Sequence, residues 1–139
     1  MIHPEQTVAR AVKAAIRAYP QLITGAAAEN VFTTADATGE WAGENKIYVV
    51  PVKTEPVGDM LSDDAASGFY KTELTITCLG ADIGQADALI DEVLPVAEAA
   101  MESAGMEAVM TGTEAVHRFE GGSWKDEYYQ VRTYNVYHQ

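Results

Sequence analysis

The stretch Tyr70–Ser103, YKTELTITCLGADIGQADALIDEVLPVAEAAMES, contains the two patterns that determine the fold. Its first ten residues alternate between two faces, with Leu74, Ile76 and Cys78 on the same one. This period of two predicts an antiparallel strand, Tyr70–Leu79, that is covered on one side. From Asp82 to Ser103 the apolar residues recur every three or four positions, which predicts an amphipathic helix whose core positions include Ile90, Val93 and Ala97.

The remaining elements extend the chain on both sides of this stretch. Residues 4–18 show the apolar spacing of a helix, with Val12 and Ile16 toward the core. Strands are predicted at Asn30–Thr33, Lys46–Glu55, Met106–Met110, Thr113–Phe119 and Asp126–His138. Pro51 cannot donate a ladder hydrogen bond, so its strand is expected to lie at an edge or to be bulged there. We therefore predict one α+β domain over residues 1–139, a mainly antiparallel sheet with two helices packed on one face.

The composition indicates a globular protein with a strongly acidic surface. Hydrophobic residues make up 47% of the chain, and its formal net charge is −12. Such a charge argues against nonspecific binding to the outside of DNA or to anionic lipid. The single cysteine, Cys78, cannot form an internal disulfide, which is compatible with a reducing cytoplasm. We expect a soluble protein without membrane contact, because no segment has the length and apolarity of a signal peptide or a membrane span.

The charges are unevenly distributed. No lysine or arginine occurs between Lys71 and Arg118, a stretch that holds nine carboxylates. Arg10, Lys13 and Arg17 are spaced for one side of the first helix. This asymmetry favours assembly over catalysis, and it predicts that the basic side of the first helix faces acids of a neighbouring subunit. The candidate acids on the second helix are Asp87, Asp91 and Glu98.

The last predicted strand is rich in tyrosine. Alternation places Tyr128 and Tyr134 on one face and Tyr129 and Tyr137 on the other. A single covered face cannot bury all four rings, so the surplus rings predict a protein interface. Tyr128 and Tyr134 complete the candidate subunit interface.

Signals for catalysis are weak. His3, His117 and His138 show no metal-ligand spacing with Cys78 or with one another. The segment Gly80–Gly84 lacks the lysine and the third glycine of a phosphate loop, so a turn with a helix cap is the better interpretation. We expect no enzyme activity, no catalytic or metal site and no cofactor.

The acidic segment 56–68 is longer than an ordinary hairpin loop. Its aspartates do not follow the ligand register of a calcium loop, which favours a solvated loop. We expect this loop to be mobile in the free protein and to order against a neighbouring subunit or another partner. The candidate contact residues are Asp59, Met60, Leu61, Asp63 and Asp64.

The order of patterns resembles a known family. A first helix ends in YP-Q-L, the strand KIYVVPV and a variable loop follow, an alternating strand runs into the acidic helix, and the chain closes on EYYQVRTYNVYHQ. This succession resembles the tail terminator proteins (minor tail or tail-completion proteins) of long-tailed bacteriophages. The resemblance covers most of the chain, and its most specific part is the junction between strand and helix that contains A-D-A-L.

The resemblance implies a non-enzymatic ring, typically six-fold, at the head-proximal end of the tail tube. Such a ring stops tube polymerisation and joins the tail to the head connector, and DNA passes through its bore without specific binding. Its partners would be copies of itself, the tail tube protein and the head connector protein. The protein would be assembled in the cytoplasm of a host bacterium and would reside in the virion tail. The alternatives are another neck component, namely a head–tail adaptor or a tube protein, a bacterial α+β binding module and, last, a small enzyme.

Overall fold

Two helices and a five-stranded sheet make up the computed structural model, which describes residues 4–18, 31–32, 46–57, 69–80, 83–118 and 127–139. The strand order is β1-β2-β3-β5-β4, and every pair is antiparallel except β1 with β2. This architecture confirms the predicted α+β class with a mainly antiparallel sheet. In chain order, the elements are α1 (Pro4–Ala18), β1 (Val31–Phe32), β2 (Lys46–Pro56), β3 (Tyr70–Gly80), α2 (Ile83–Ser103), β4 (Glu107–Arg118) and β5 (Glu127–His138).

Both helices pack against the same face of the sheet. The alternation of β3 turns Leu74, Ile76 and Cys78 toward the helices, where each is fully buried. The apolar stripes of α1 and α2 join these residues in one cluster. All eight residues that the sequence predicts as core are buried: Val12, Ile16, Leu74, Ile76, Cys78, Ile90, Val93 and Ala97.

The end of α2 is fixed by a glycine. Gly105 has a φ of 75°, a left-handed conformation that costs glycine little. Its N–H donates to the carbonyl of Glu102 at 3.0 Å, and the N–H of Met106 donates to the carbonyl of Met101 at 2.9 Å. These two hydrogen bonds form a Schellman motif, which ends the helix and directs the chain into β4.

The hairpin of β4 and β5 corrects one sequence prediction. Met106–Met110 and Thr113–Phe119 were expected as two strands, but β4 runs continuously from Glu107 to Arg118. A register shift between Met110 and Gly112 accommodates one extra residue. The bulge explains why the alternation changes phase there, because an inserted residue reverses the faces of the residues that follow it. The pair Gly121–Gly122, which the sequence predicts as a turn between these two strands, lies outside the described residues.

A second bulge interrupts β2 at the proline. The pairing with β3 shifts between Pro51 and Lys53, which confirms the predicted irregularity. On its other side, β2 pairs with β1 only at Ile47 and Tyr48. The end of β2 that contains Pro51 therefore has no neighbour on that side among the described strands, as expected for a residue without a backbone donor.

Candidate subunit interface

The three basic residues of α1 form a basic flank, which we define as Arg10, Lys13 and Arg17. Residues of an α-helix are turned by about 100° each, so these three positions fall within about 60° of one another. Ala15 lies on the opposite side of α1, where it lines a groove against α2. The basic flank therefore points away from α2. Arg10 and Arg17 are exposed and Lys13 is half-buried, and Lys13 and Arg17 also have interaction partners within the subunit.

The acids of α2 form an acidic flank on its solvent-exposed side, next to β5, and one of them, Asp91, also lines the open groove between α1 and α2. Two of its members accept hydrogen bonds from that strand: Gln130 Nε2 donates to Asp87 Oδ1, and the Tyr134 hydroxyl donates to Glu98 Oε1 at 2.8 Å. Both donors are uncharged, so the carboxylates stay uncompensated by these contacts. The flank consists of Asp87, Asp91, Glu98 and Glu102, all exposed.

The two charged flanks lie toward opposite ends of the subunit. Helix α1 packs on β2 and β3 and also contacts β1, whereas α2 packs on β3, β5 and β4. Because β1 and β4 are the two edges of the sheet, the basic flank faces the β1–β2 end and the acidic flank faces the β4 end. The structure therefore does not bring the predicted basic and acidic interface residues together within one subunit. It separates them across the width of the sheet.

Of the two tyrosines predicted at a subunit interface, Tyr134 is not at the surface. Its ring is 2% exposed beneath α2, and burial together with the bond to Glu98 raises the pKa of its hydroxyl. The predicted alternation is correct, but both helices cover the face of Tyr128 and Tyr134. Tyr134 therefore belongs to the core, and the surplus aromatic face is the one that carries Tyr129 and Tyr137.

Tyr128 is half-buried near the first turn of α2. Its ring stacks on that of His117, with centroids 4.1 Å apart and planes 15° apart. Beside them, Ile83 is 58% exposed and helps to line a small cavity of about 120 Å³, mostly apolar, between α2, β4 and β5. Tyr128 thus contributes to a surface depression at the same end of the subunit as the acidic flank.

The sheet face opposite the helices, the helix-free face, carries few charges in its centre. Eight outward residues of β3 and β5, from Thr75 on β3 and from Tyr129 on β5, are all uncharged, seven of them half-buried and Leu79 buried: Thr75, Thr77, Leu79, Tyr129, Val131, Thr133, Asn135 and Tyr137. Charged pairs lie toward one end, where Lys71 Nζ is 3.0 Å from Glu55 Oε1. The hydrogen bond from Lys71 and the charge of Lys53 lower the pKa of the Glu55 carboxyl. A branched and aromatic face without charge is typical of a protein interface.

The candidate contact loop, Asp59, Met60, Leu61, Asp63 and Asp64, lies outside the described residues. At its borders, the N–H of Val57 donates to the carbonyl of Phe69 at 2.9 Å, which extends the β2–β3 ladder by one pair. The expectation that this loop orders against a partner stays a prediction.

Of the residues considered for chemistry, His3 lies outside the described residues, and Cys78 has a structural position. Cys78 is buried, and burial raises the pKa of its thiol, so the nucleophilic thiolate is disfavoured. Within the described ranges, no group of three or more histidine, cysteine, aspartate or glutamate side chains is arranged to hold a metal ion. No helix in the described part of the chain is both long and apolar enough to cross a membrane.

A buried polar cluster at the C-terminal end of β5 was not predicted from the sequence. His138 is 2% exposed, and its Nε2 is 2.7 Å from the Thr72 hydroxyl, which is 2.8 Å from the hydroxyl of Thr54. The ring of Tyr70 stacks on the imidazole of His138, with the two ring centroids 5.9 Å apart. The alternation of β3 does place Thr72 on the core face, but only the β3–β5 register, which pairs Tyr70 with His138, brings the histidine to it.

This cluster predicts a loss of stability at mildly acidic pH. Burial lowers the pKa of His138, so the folded chain resists a proton that the unfolded chain accepts near the ordinary pKa of about 6.5. The unfolded state then binds more protons, and the free energy of unfolding should fall as pH drops from 7.5 to 5.5. Urea unfolding of the wild type and of His138→Gln at both pH values measures this. His3 and His117 are present in both proteins. An equal fall in the free energy of unfolding in the wild type and in His138→Gln would therefore show that His138 is not the cause.

Comparison with known proteins identifies no family for this chain. No protein-family model matches it, and no curated protein sequence matches it significantly. The functional interpretation therefore depends on the geometry and on the resemblance described above.

Proposed function

We propose that the protein is a structural component of a bacteriophage tail, a tail terminator that assembles as a homo-oligomeric ring on the head-proximal end of the tail tube. The observation that carries the proposal is the helix-free face. In a chain of net charge −12, β3 and β5 present eight neighbouring uncharged side chains, seven of them half-buried, on a face that neither helix covers. A surface of this kind is suited to contact with protein, which fits an assembly component better than an enzyme.

The charge balance supports a ring with a DNA-conducting bore. A bore through which DNA moves must not bind the phosphate backbone, and an excess of carboxylates repels it. With 21 acidic and 9 basic residues, the chain has the required surplus. In this proposal the ring is six-fold, contacts the tail tube protein on one side and the head connector protein on the other, and resides in the virion tail.

Two alternatives, a tail tube protein and a ligand-binding module, differ from a terminator in different properties. A tail tube protein polymerises without limit, whereas a terminator stops at one ring. A ligand-binding module would hold its ligand in a substantial enclosed cavity; of the two depressions lined by described residues, the one beside Tyr128 has a volume of about 120 Å³ and the larger one, between α1 and α2, is open. Ligand binding by an isolated subunit would favour the binding module, and the limit of assembly separates the terminator from a tube protein.

The decisive experiment is deletion of the gene in its phage. We expect tails of uncontrolled length that do not join heads, and restoration of both properties by the wild-type gene in trans. Electron microscopy of the purified protein, alone and mixed with purified tail tubes, should show single rings with a central hole or caps on tube ends. Normal tails with joined heads after deletion would overturn the proposal, and open-ended filaments of the protein alone would favour the tube protein.

A further inference from the structure

We infer that neighbouring copies join head to tail, with the basic flank of α1 in one subunit against the acidic flank of α2 in the next, beside strand β4. The occupant of the acidic flank is therefore a second copy of this chain. The inference rests on the proposed function only in assuming that the chain self-assembles. It adds which surface meets which, and it applies equally to any ring built from this fold.

The position of the two flanks is suited to a head-to-tail contact. In a two-fold dimer, each surface patch meets the same pair of patches in the partner, so both flanks of a subunit would have to reach a single interface. The flanks lie at opposite ends of the sheet, toward β1 and toward β4. Each subunit can therefore satisfy its basic flank with one neighbour and its acidic flank with another. Such a heterologous contact closes into a ring when the rotation between subunits permits it.

The internal contacts of the acidic flank leave it able to accept cations. Asp87 and Glu98 accept hydrogen bonds from neutral donors on β5. The nearby cation, Arg132, uses Nη1 to donate to Gln130 Oε1 at 3.0 Å and to the Val131 carbonyl at 3.0 Å. Asp91 and Glu102 are exposed on the same flank. A row of carboxylates with this geometry matches a row of two or three basic side chains on a neighbouring helix.

The edge beside the acidic flank can supply apolar contact area. Strand β4 pairs with β5 alone among the described strands, and it contains neither proline nor lysine. Its Val109, Met110 and Val116 are 47%, 40% and 38% exposed. At the opposite end, the part of β2 beyond its two residues paired with β1 has Pro51, Lys53 and Pro56, residues that normally prevent strand association, and both β2 and β4 contain a bulge. The β4 end is thus the end of the subunit that is better suited to contact with another chain.

The charges and the apolar surface have different roles in this contact. Exposed ion pairs are individually weak, so they orient the subunits without supplying most of the affinity. Most of the affinity is expected from the exposed apolar side chains of β4 and from the cavity lined by Ile83 and Tyr128. Because the ion pairs are solvent-exposed, raising the salt concentration should weaken the association.

A charge-swap experiment tests the inference. One chain carries Arg10→Glu and Arg17→Glu, a second carries Asp91→Lys and Glu102→Lys, and a third carries all four substitutions. Asp87 and Glu98 are left unchanged because they accept bonds from β5. Circular dichroism and the melting temperature establish that each chain is folded. Native mass spectrometry and sedimentation at low salt then give the stoichiometry and the affinity.

We expect each of the first two chains to associate with itself at least about tenfold more weakly than the wild type. An equimolar mixture of the two should restore assemblies larger than a dimer that contain equal numbers of both chains. The chain with all four substitutions should recover part of the assembly by itself, because its four substituted positions again carry opposite charges on the two flanks, whereas Lys13, Asp87 and Glu98 keep their original charges. This recovery is the part that a merely destabilising substitution cannot produce.

Three outcomes overturn the inference: undiminished assembly of the reversed chains, failure of the mixture to recover, or recovery as a two-fold dimer. A folded wild type that stays monomeric at millimolar concentration overturns it as well. These outcomes are distinct from failure of the proposed function, which is decided by tail length after gene deletion. If the rings are held together by other contacts, the proposed function stands and this interface is wrong. If the protein forms head-to-tail rings but deletion of its gene leaves tails normal, this interface stands and the proposed function is wrong.

Discussion

Replacement of Ile90 with alanine is expected to lower the free energy of unfolding by about 2–5 kcal/mol. Ile90 is 1% exposed and belongs to the single cluster that joins both helices to the sheet. The substitution removes three carbon atoms from a close-packed site, so the lost transfer free energy is increased by the cost of the cavity left behind. Urea unfolding of the folded monomer, with an unchanged dependence on denaturant, measures the difference.

The same helix provides the matched control. Ile83 is also an isoleucine of α2, but it is 58% exposed. We expect Ile83→Ala to change stability by no more than about 0.5 kcal/mol, since a surface substitution leaves no cavity. A loss of less than about 1 kcal/mol for Ile90→Ala, or equal losses at the two positions, would show that α2 does not pack on the sheet as described.

The periodic elements were the predictable part of this fold. The period-two pattern of Tyr70–Leu79 and the helical spacing that follows it are each long enough to determine one buried face, and both helices and the core residues agree with the structure. The region around Met110–Thr113 was predicted incorrectly, because a bulge and a strand break change the alternation in the same way. Only the pairing with β5 distinguishes them.

The two charged flanks were predictable from the sequence, but their arrangement in the subunit was not, and their role as a subunit interface stays a prediction. Helical spacing alone places Arg10, Lys13 and Arg17 on one side of α1, and it places the acids of α2 on one side of that helix. It does not say on which side of each helix the other helix lies, and that side decides whether the flanks meet or separate. The burial of Tyr134 was missed for the same reason, since alternation pairs Tyr128 with Tyr134 without showing which sheet face the helices cover.

Substitution of Gly80 by alanine is expected to destabilise the fold by about 1–3 kcal/mol, the usual cost of overpacking. Gly80 is the buried last residue of β3, and the first turns of α2 pass directly over it. A Cβ built there lies 2.5 Å from the backbone N of Ala86 and 3.0 Å from its Cα. Backbone atoms cannot rotate away as a side chain can, so α2 or the end of β3 must move. Thermal and urea unfolding of the variant measure the cost.

Gly112→Ala is the matched control for this prediction. Its added Cβ would lie 3.7 Å from the Cβ of Thr133, an ordinary contact, so we expect a change within about 0.5 kcal/mol. Equal losses for the two variants would mean that general strand entropy, and not the approach of α2, accounts for the effect. The close approach at Gly80 also fixes the start of α2, and hence the position of Asp87 against Gln130. A shift of α2 caused by Gly80→Ala should therefore disturb the acidic flank even where the chain remains folded.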